Sequence, residues 1–507
     1  EDLEGSWLSV NYDPWGTGIT YTGFCLMGLG CLLLLCARGG DFRRLLRHPL
    51  IRKGGLFLIA LFGGCQLKAD PALPVVKRVQ ADSLAIQQVV YNDRVAPFNT
   101  LARDFVQKIY GRPSFHGITP EQVVSSWMLY PEEWNRTPII RIKNQELRTA
   151  LGLKEEYASL NHLFDGTQYK LQPLWQREQG NRSKLAQAIQ ETDEKVGLIL
   201  MLRQGTLVRP LPPDVSPLST QKVNAELWYN RIPFSKILFM VNLTLGFAAF
   251  GLFMFRMLTN RKEKAVSRRV WGTALCLTTL FHATGYALRG YIRGGFPLSN
   301  GYETMQFVAL AVLLTACLLQ RRFPFTRPFG FLLSGFTLLV AYLGEMNPQI
   351  TPLMPVLASP WLSWHVSLIM ISYGLFAFTF LNGILALCLI GKQKNTASPI
   401  TGEQIEQLTL LSRLLLYPGT FLLGTGIVLG AVWANVSWGS YWSWDPKEVW
   451  ALAAFIIYGI SFHRKSLPYF QRPWLFHGYM IFAFAVVLMT YFGVNYLLGG
   501  MHSYANS

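Results

Sequence analysis

Apolar segments of membrane-spanning length recur along this chain, and that repetition restricts its fold more than any other feature. A bilayer core takes a helix of about 20 residues, and inside lipid a helix satisfies its own backbone. Candidate spans lie at roughly 19–36, 54–65, 233–256, 270–288, 303–320, 328–344, 363–391, 413–434, 447–463 and 474–497. They predict an α-helical polytopic membrane protein with about ten transmembrane helices and a mostly helical extracytoplasmic domain inserted after the second. The segment 54–65, GGLFLIALFGGC, is short. It reads as a tilted span or, because it ends at Cys65, as a lipoprotein-like box that would make Cys65 a lipidation candidate. The chain begins at Glu1 without an initiator Met or a signal peptide, the pattern of a trimmed piece of something longer.

Composition agrees with a membrane protein that also carries a soluble part. Charged residues make up 15% of the chain, against about 25% in a soluble domain. The net charge of +17 sits in short clusters beside apolar runs, which reads as topology and not as a nucleic-acid surface. Segment 37–53 holds six Lys or Arg against Asp41, and 257–269 holds Arg261, Lys262, Lys264, Arg268 and Arg269 against Glu263. Segments 345–362 and 498–507 hold neither Lys nor Arg. With ten spans the charge rule alternates consistently and puts 1–18, 66–232, 289–302, 345–364, 435–447 and 498–507 outside. For a bacterial chain this means the inner membrane, with those segments periplasmic.

The chain divides into 1–65, a soluble segment 66–232 large enough for its own core, and 233–507, which holds eight spans. Within 66–232, Thr119-Pro120-Glu121 opens a short helix by capping chemistry. The stretch 182–204 places Leu185, Ile189, Val196 and Leu200 on one helical face. Seven cysteines occur without CxxC or CxxCH, so the chain is neither a dithiol oxidoreductase nor itself a c-type cytochrome.

The densest chemistry lies at 433–450, WANVSWGSYWSWDPKEVW, with Trp433, Trp438, Tyr441, Trp442, Trp444, Asp445 and Trp450. An interfacial aromatic belt explains one or two such residues per helix end. Five indoles among Gly and Ser make instead a stacking platform for a large planar ligand. Three of the eight histidines mark span ends. His365 and His502 fall on the side of the Trp-rich loop, and His463 near the opposite, cytoplasmic end. A lone His at a helix end is commonly structural, but imidazole pairs are natural axial ligands of haem iron, and ionisable groups in a membrane are costly. His282, inside a span, is a fourth candidate. His48, His116, His162 and His477 read as structural. Arg289, Arg293 and Lys447 on the outer side are candidates to pair with haem propionates, although snorkelling anchors explain them equally well.

These residues carry a resemblance. WGSYWSWDPKEVWALAAFIIYGISFH resembles the tryptophan-rich WWD motif of haem-handling proteins, and YFGVNYLLGGMHSYA resembles the C-terminus of the CcsA (ResC) type. HATGYALRGYIRGGFPLSNGYETMQF is also similar to the CcsA pattern, so the likeness covers about 233–507. Residues 7–36 resemble the last span of a ResB (CcsB) protein, and the whole is similar to a fused System II cytochrome c synthase of the CcsBA type. The resemblance implies a haem lyase that exports haem b and joins its vinyl groups to the CxxCH thiols of apocytochrome c. It implies His365 and His502 as external haem-iron ligands, Trp438, Trp442, Trp444 and Asp445 as the haem platform, and His463 as one of two inner ligands. The other inner ligand belongs to an early ResB-like helix, which a ResB/CcsB-like N-terminal half or subunit would supply. A thiol-reducing partner is implied too. The alternative function is a haem transporter or chaperone that relays haem without forming thioether bonds, and another is an assembly scaffold.

Overall fold

The computed structural model describes residues 14–36, 42, 73–166, 168–179, 183–259, 261, 263–344, 346–351, 359–395 and 399–498. The chain is an α-helical polytopic membrane protein. Among the described residues six helices are long and apolar enough to span a bilayer, and Ile19–Gly30 is a shorter apolar stretch. Helix α1 is Pro14–Cys36. The short predicted span 54–65 and Cys65 lie outside the described residues.

The soluble segment folds around its own core of helices α2 (Phe98–Tyr110), α3 (Pro120–Leu129) and α4 (Lys184–Arg203), with Leu101, Trp127, Trp134 and Ile199 fully buried. The expected capping signal at Thr119 is a full capping box with Gln122, which satisfies amides at both ends of that first turn. In α4 the hydroxyl of Ser183 caps the start, and Ile189 and Val196 are buried while Leu185 and Leu200 pack at the core margin. A small antiparallel sheet completes the domain. Strand β1 (Gln88–Tyr91) pairs on one side with β2 (Arg94–Pro97) and on the other with β3 (Arg209–Pro210). Helix α5 (Thr220–Arg231) then leads into the membrane bundle.

The bundle comprises α6 (Phe234–Leu258), α7 (Ala265–Arg293), α8 (Gly301–Leu319), α9 (Thr326–Leu343), α10 (Pro360–Asn395), α11 (Pro399–Trp438), α12 (Pro446–Ile460) and α13 (Pro473–Leu488), the last continuing as a π-helix over Met489–Leu498. Two expected spans differ from their neighbours. Helix α12 has 15 residues: Asp445 caps its start at Pro446, and a turn after Ile460 ends it before the predicted 463. Helix α7 is continuous and long enough, but His282 lies within its apolar run and Arg268, Arg269, Arg289 and Arg293 bound that run.

The soluble domain is tied to one end of this bundle by the strap 346–351 between α9 and α10. Arg94 donates through Nε to the carbonyl of Ile350, Asn92 donates to Oε1 of Gln349, and Gln349 donates to the hydroxyl of Tyr91. From the membrane side Arg289 donates to the carbonyls of Pro348 and Gln349.

Candidate functional site

His365 sits in the second turn of α10, facing α11. The two helices run antiparallel and lie unusually close because glycines on α11 meet large side chains on α10. A Cβ at Gly419 would fall 2.7 Å from Phe376, one at Gly426 would fall 2.6 Å from Ile369, and one at Gly430 would fall 2.5 Å from Cε1 of His365. The three pairs keep a single antiparallel register, so removing Cβ three times lets the backbones approach. That approach brings Nδ1 of His365 to 2.6 Å from the carbonyl of Gly426. A carbonyl only accepts, so Nδ1 carries the proton and the lone pair of a neutral ring is on Nε2, the tautomer a metal-binding histidine requires.

Helix α11 ends in the tryptophan segment at the same end of the bundle. Trp433 is buried in its last turns. Gly439 takes the left-handed conformation, φ 74°, and its amide closes the helix on Asn435. The indoles of Trp442 and Trp444 then meet edge to face, 6.0 Å apart at 89°. Trp444 has φ 59° and is 75% exposed. A bulky residue in that region costs about 1–3 kcal/mol, a kind of strain that clusters at functional sites. Asp445 fixes the start of the next helix. Its carboxylate accepts from the amide of Lys447, and Glu448 reaches back to the amides of Ser443 and Asp445. Tyr441 packs edge-on against Tyr21 and Phe24 of α1, at 5.7 and 6.3 Å. The first helix therefore buttresses the loop.

His463 lies in the turn after α12, at the opposite end of the bundle, exposed, with Nδ1 3.3 Å from the carbonyl of Gly459. His502 and the side chain of Trp438 lie outside the described residues. His282 and His477 are buried on polar partners, the first on Oε1 of Gln306 at 3.0 Å and the second on the hydroxyl of Thr409 at 2.9 Å.

The arginines correct the sequence reading. Arg289 is 1% exposed and pairs with Glu303, equally buried, at 2.8 Å. It also donates to Tyr229 and to the strap carbonyls, so its guanidinium is enclosed by protein and out of reach of a propionate. Arg293 holds the other oxygen of Glu303 at 2.7 Å and also donates to Ser299. They are the internal frame of the α7–α8 corner. The sequence treated both as outward cations because nothing local announces a carboxylate ten to fourteen positions away. Sequence reasoning also passed over Trp361 and Trp364, exposed in the first turn of α10 beside His365, and over Gly426 and Gly430. The GxxxG spacing of those glycines was the available signal.

Residues 298–502 match the family described as cytochrome C assembly protein. The chain is 31% identical to protein NrfI of Wolinella succinogenes over 99% of its own length, and spans 64% of the length of that relative. It is 33% identical to the cytochrome c biogenesis protein CcsA of Synechococcus sp. strain WH7803, covering 94% of that protein and 52% of this chain. CcsA of Prochlorococcus marinus strain NATL2A is also 33% identical, over 83% of its length. The chain belongs to the CcsA family of membrane proteins, and its role lies in cytochrome c maturation.

Proposed function

We propose that this chain is a holocytochrome c synthase: it takes haem across the membrane, holds it at the end of the bundle bearing His365, and joins it to apocytochrome c. The observation that carries the reading is the His365 imidazole, whose Nδ1–H is committed to Gly426 so that Nε2 is the ligating atom. His365 and His502 ligate the iron, and Trp442 and Trp444, with Trp438, hold the macrocycle. The strained, exposed indole of Trp444 supports a surface built for a planar ligand. His463, at the other end, is the inner station, and a ResB-like segment supplies its partner ligand. In the bacterial inner membrane the Trp loop and the soluble domain then face the periplasm.

The covalent step adds each CxxCH thiol across a vinyl group. Sulfur bonds to the carbon next to the ring, the thiol proton goes to the terminal carbon, and nothing is oxidised or reduced. The protein supplies position, which in well-oriented intramolecular reactions is worth about 7–11 kcal/mol. His365 and His502 fix the iron, and the indoles fix the plane so that the vinyl edge meets the docked thiols. A separate thiol-reducing partner keeps the cysteines as thiols.

The test is the absorption spectrum of the purified protein. Bound haem with bis-histidine bands that weaken in His365→Ala and His502→Ala supports the site. Unchanged haem content and bands in both variants would overturn it. Haem bound normally while a CxxCH reporter stays apo would select the relay reading.

A further inference from the structure

At the end of the bundle opposite the tryptophan loop, a cavity of about 460 Å³ lies among α6, α7, α9, α10 and α11. Its wall is apolar, with Leu252, Phe253, Met257 and Leu389 among the lining residues. Its rim holds four guanidiniums, Arg256, Arg261, Arg268 and Arg327, against the carboxylates of Glu263 and Glu403. Glu263 accepts from three of them, at 2.8 Å from Arg327 and 3.3 Å from Arg256 and Arg268. Arg261 engages the ring face of Phe255, its Cζ 5.9 Å from the centroid. The rim thus carries two more positive than negative charges. The first-turn amides of α7 start beside it, and Lys264 at the N-cap provides no side-chain cap. Helix N-terminal amides beside guanidiniums favour a phosphate oxygen, and the apolar wall below favours an acyl chain.

We propose that this cavity binds one anionic phospholipid, its phosphate on the Arg261–Arg268 rim and an acyl chain along α6. Basic pockets between membrane helices take anionic headgroups in this way. Plain topology anchors are spread along a membrane face, whereas here four arginines converge on one apolar recess. Binding of this lipid ties α6 and α7 to α11 at the base of the bundle that presents His365 at its other end.

The experiment is native mass spectrometry of the full chain in detergent, titrated with phosphatidylglycerol, phosphatidylcholine or inorganic phosphate. One phosphatidylglycerol is retained per chain, in preference to phosphatidylcholine, and inorganic phosphate at equal concentration does not displace it. In the double variant Arg261→Gln/Arg268→Gln, at exposed positions, its apparent affinity falls about thirtyfold. Leu252→Trp, which fills the apolar wall without touching the rim, also lowers retention. Equal retention of the two lipids, or unchanged affinity in the double variant, overturns the proposal. Displacement by inorganic phosphate alone would show a bare anion site and overturns it too.

Discussion

Replacing Gly430 by Ala is the sharpest perturbation of the His365 arrangement, because it adds one methyl and removes no polar group. The new Cβ would stand 2.5 Å from Cε1 and 2.6 Å from Nδ1 of the ring, where ordinary contact begins at 3.4 Å. The imidazole must therefore retreat by about 1 Å, and its 2.6 Å bond to the Gly426 carbonyl stretches beyond hydrogen-bonding range. The lost bond costs about 0.5–1.5 kcal/mol of stability, while Ala in place of Gly in a helix returns about 0.5–1 kcal/mol. Overpacking at this close helix contact adds about 1–3 kcal/mol, so folding weakens by about that much, and the nitrogen proposed to ligate haem loses its orientation. Disturbing such a partner of a metal-bound histidine lowers metal affinity about 10–100-fold. The assay pairs haem titration, read through the axial-ligand bands, with thermal unfolding. Gly251→Ala on α6, where an added Cβ meets nothing within 4 Å, is the control and keeps normal haem affinity. Gly430→Ala with full haem affinity and unaltered bands would refute the reasoning.

Other consequences follow from the frame around the site. Arg289→Met leaves Glu303 buried without its main partner, and breaking a buried pair costs about 3–5 kcal/mol; the variant should show a marked drop in melting temperature and in yield of folded protein. Asp104 has its carboxyl raised to about 6, first by burial and further by Glu226, against the pull of Arg103 and Arg94. The folded state therefore holds this proton more tightly than the unfolded chain, so its contribution to stability is greatest below pH about 4 and falls as pH rises through about 6. Asp104→Asn should flatten that segment of the stability–pH curve, measured by thermal unfolding of the full chain. Tyr21→Ala with Phe24→Ala removes two edge contacts from Tyr441, each aromatic pair being worth about 0.5–1.5 kcal/mol; faster proteolysis of the loop 439–445 is the readout.

The helical membrane architecture was legible because hydropathy, span length and basic loops all report on one solvent, the bilayer. The cap at Thr119 was legible for a similar reason, since its hydroxyl acts on an amide three residues away. What sequence pattern missed depends on partners distant in the chain. Gly430 has meaning only once α11 lies against α10 and His365. Arg289 looks like any interfacial cation until α8 brings Glu303 beneath it and the strap closes over it. Asp445, by contrast, caps the helix that follows it, a local role that stands beside its proposed place in the ligand platform. The tie between strand β2 and the strap joins residues 256 positions apart, a contact that no local pattern encodes.

The central claim is that the end of the bundle bearing His365 joins haem to apocytochrome c, and one measurement addresses it directly. Co-expression of the protein with a CxxCH reporter, in cells without another synthase, is followed by haem staining of the denatured reporter. The account predicts covalent haem on the reporter with the unmodified chain and its loss with His365→Ala, while membrane insertion is retained. Equal covalent haem with His365→Ala, or none with the unmodified chain, would contradict it.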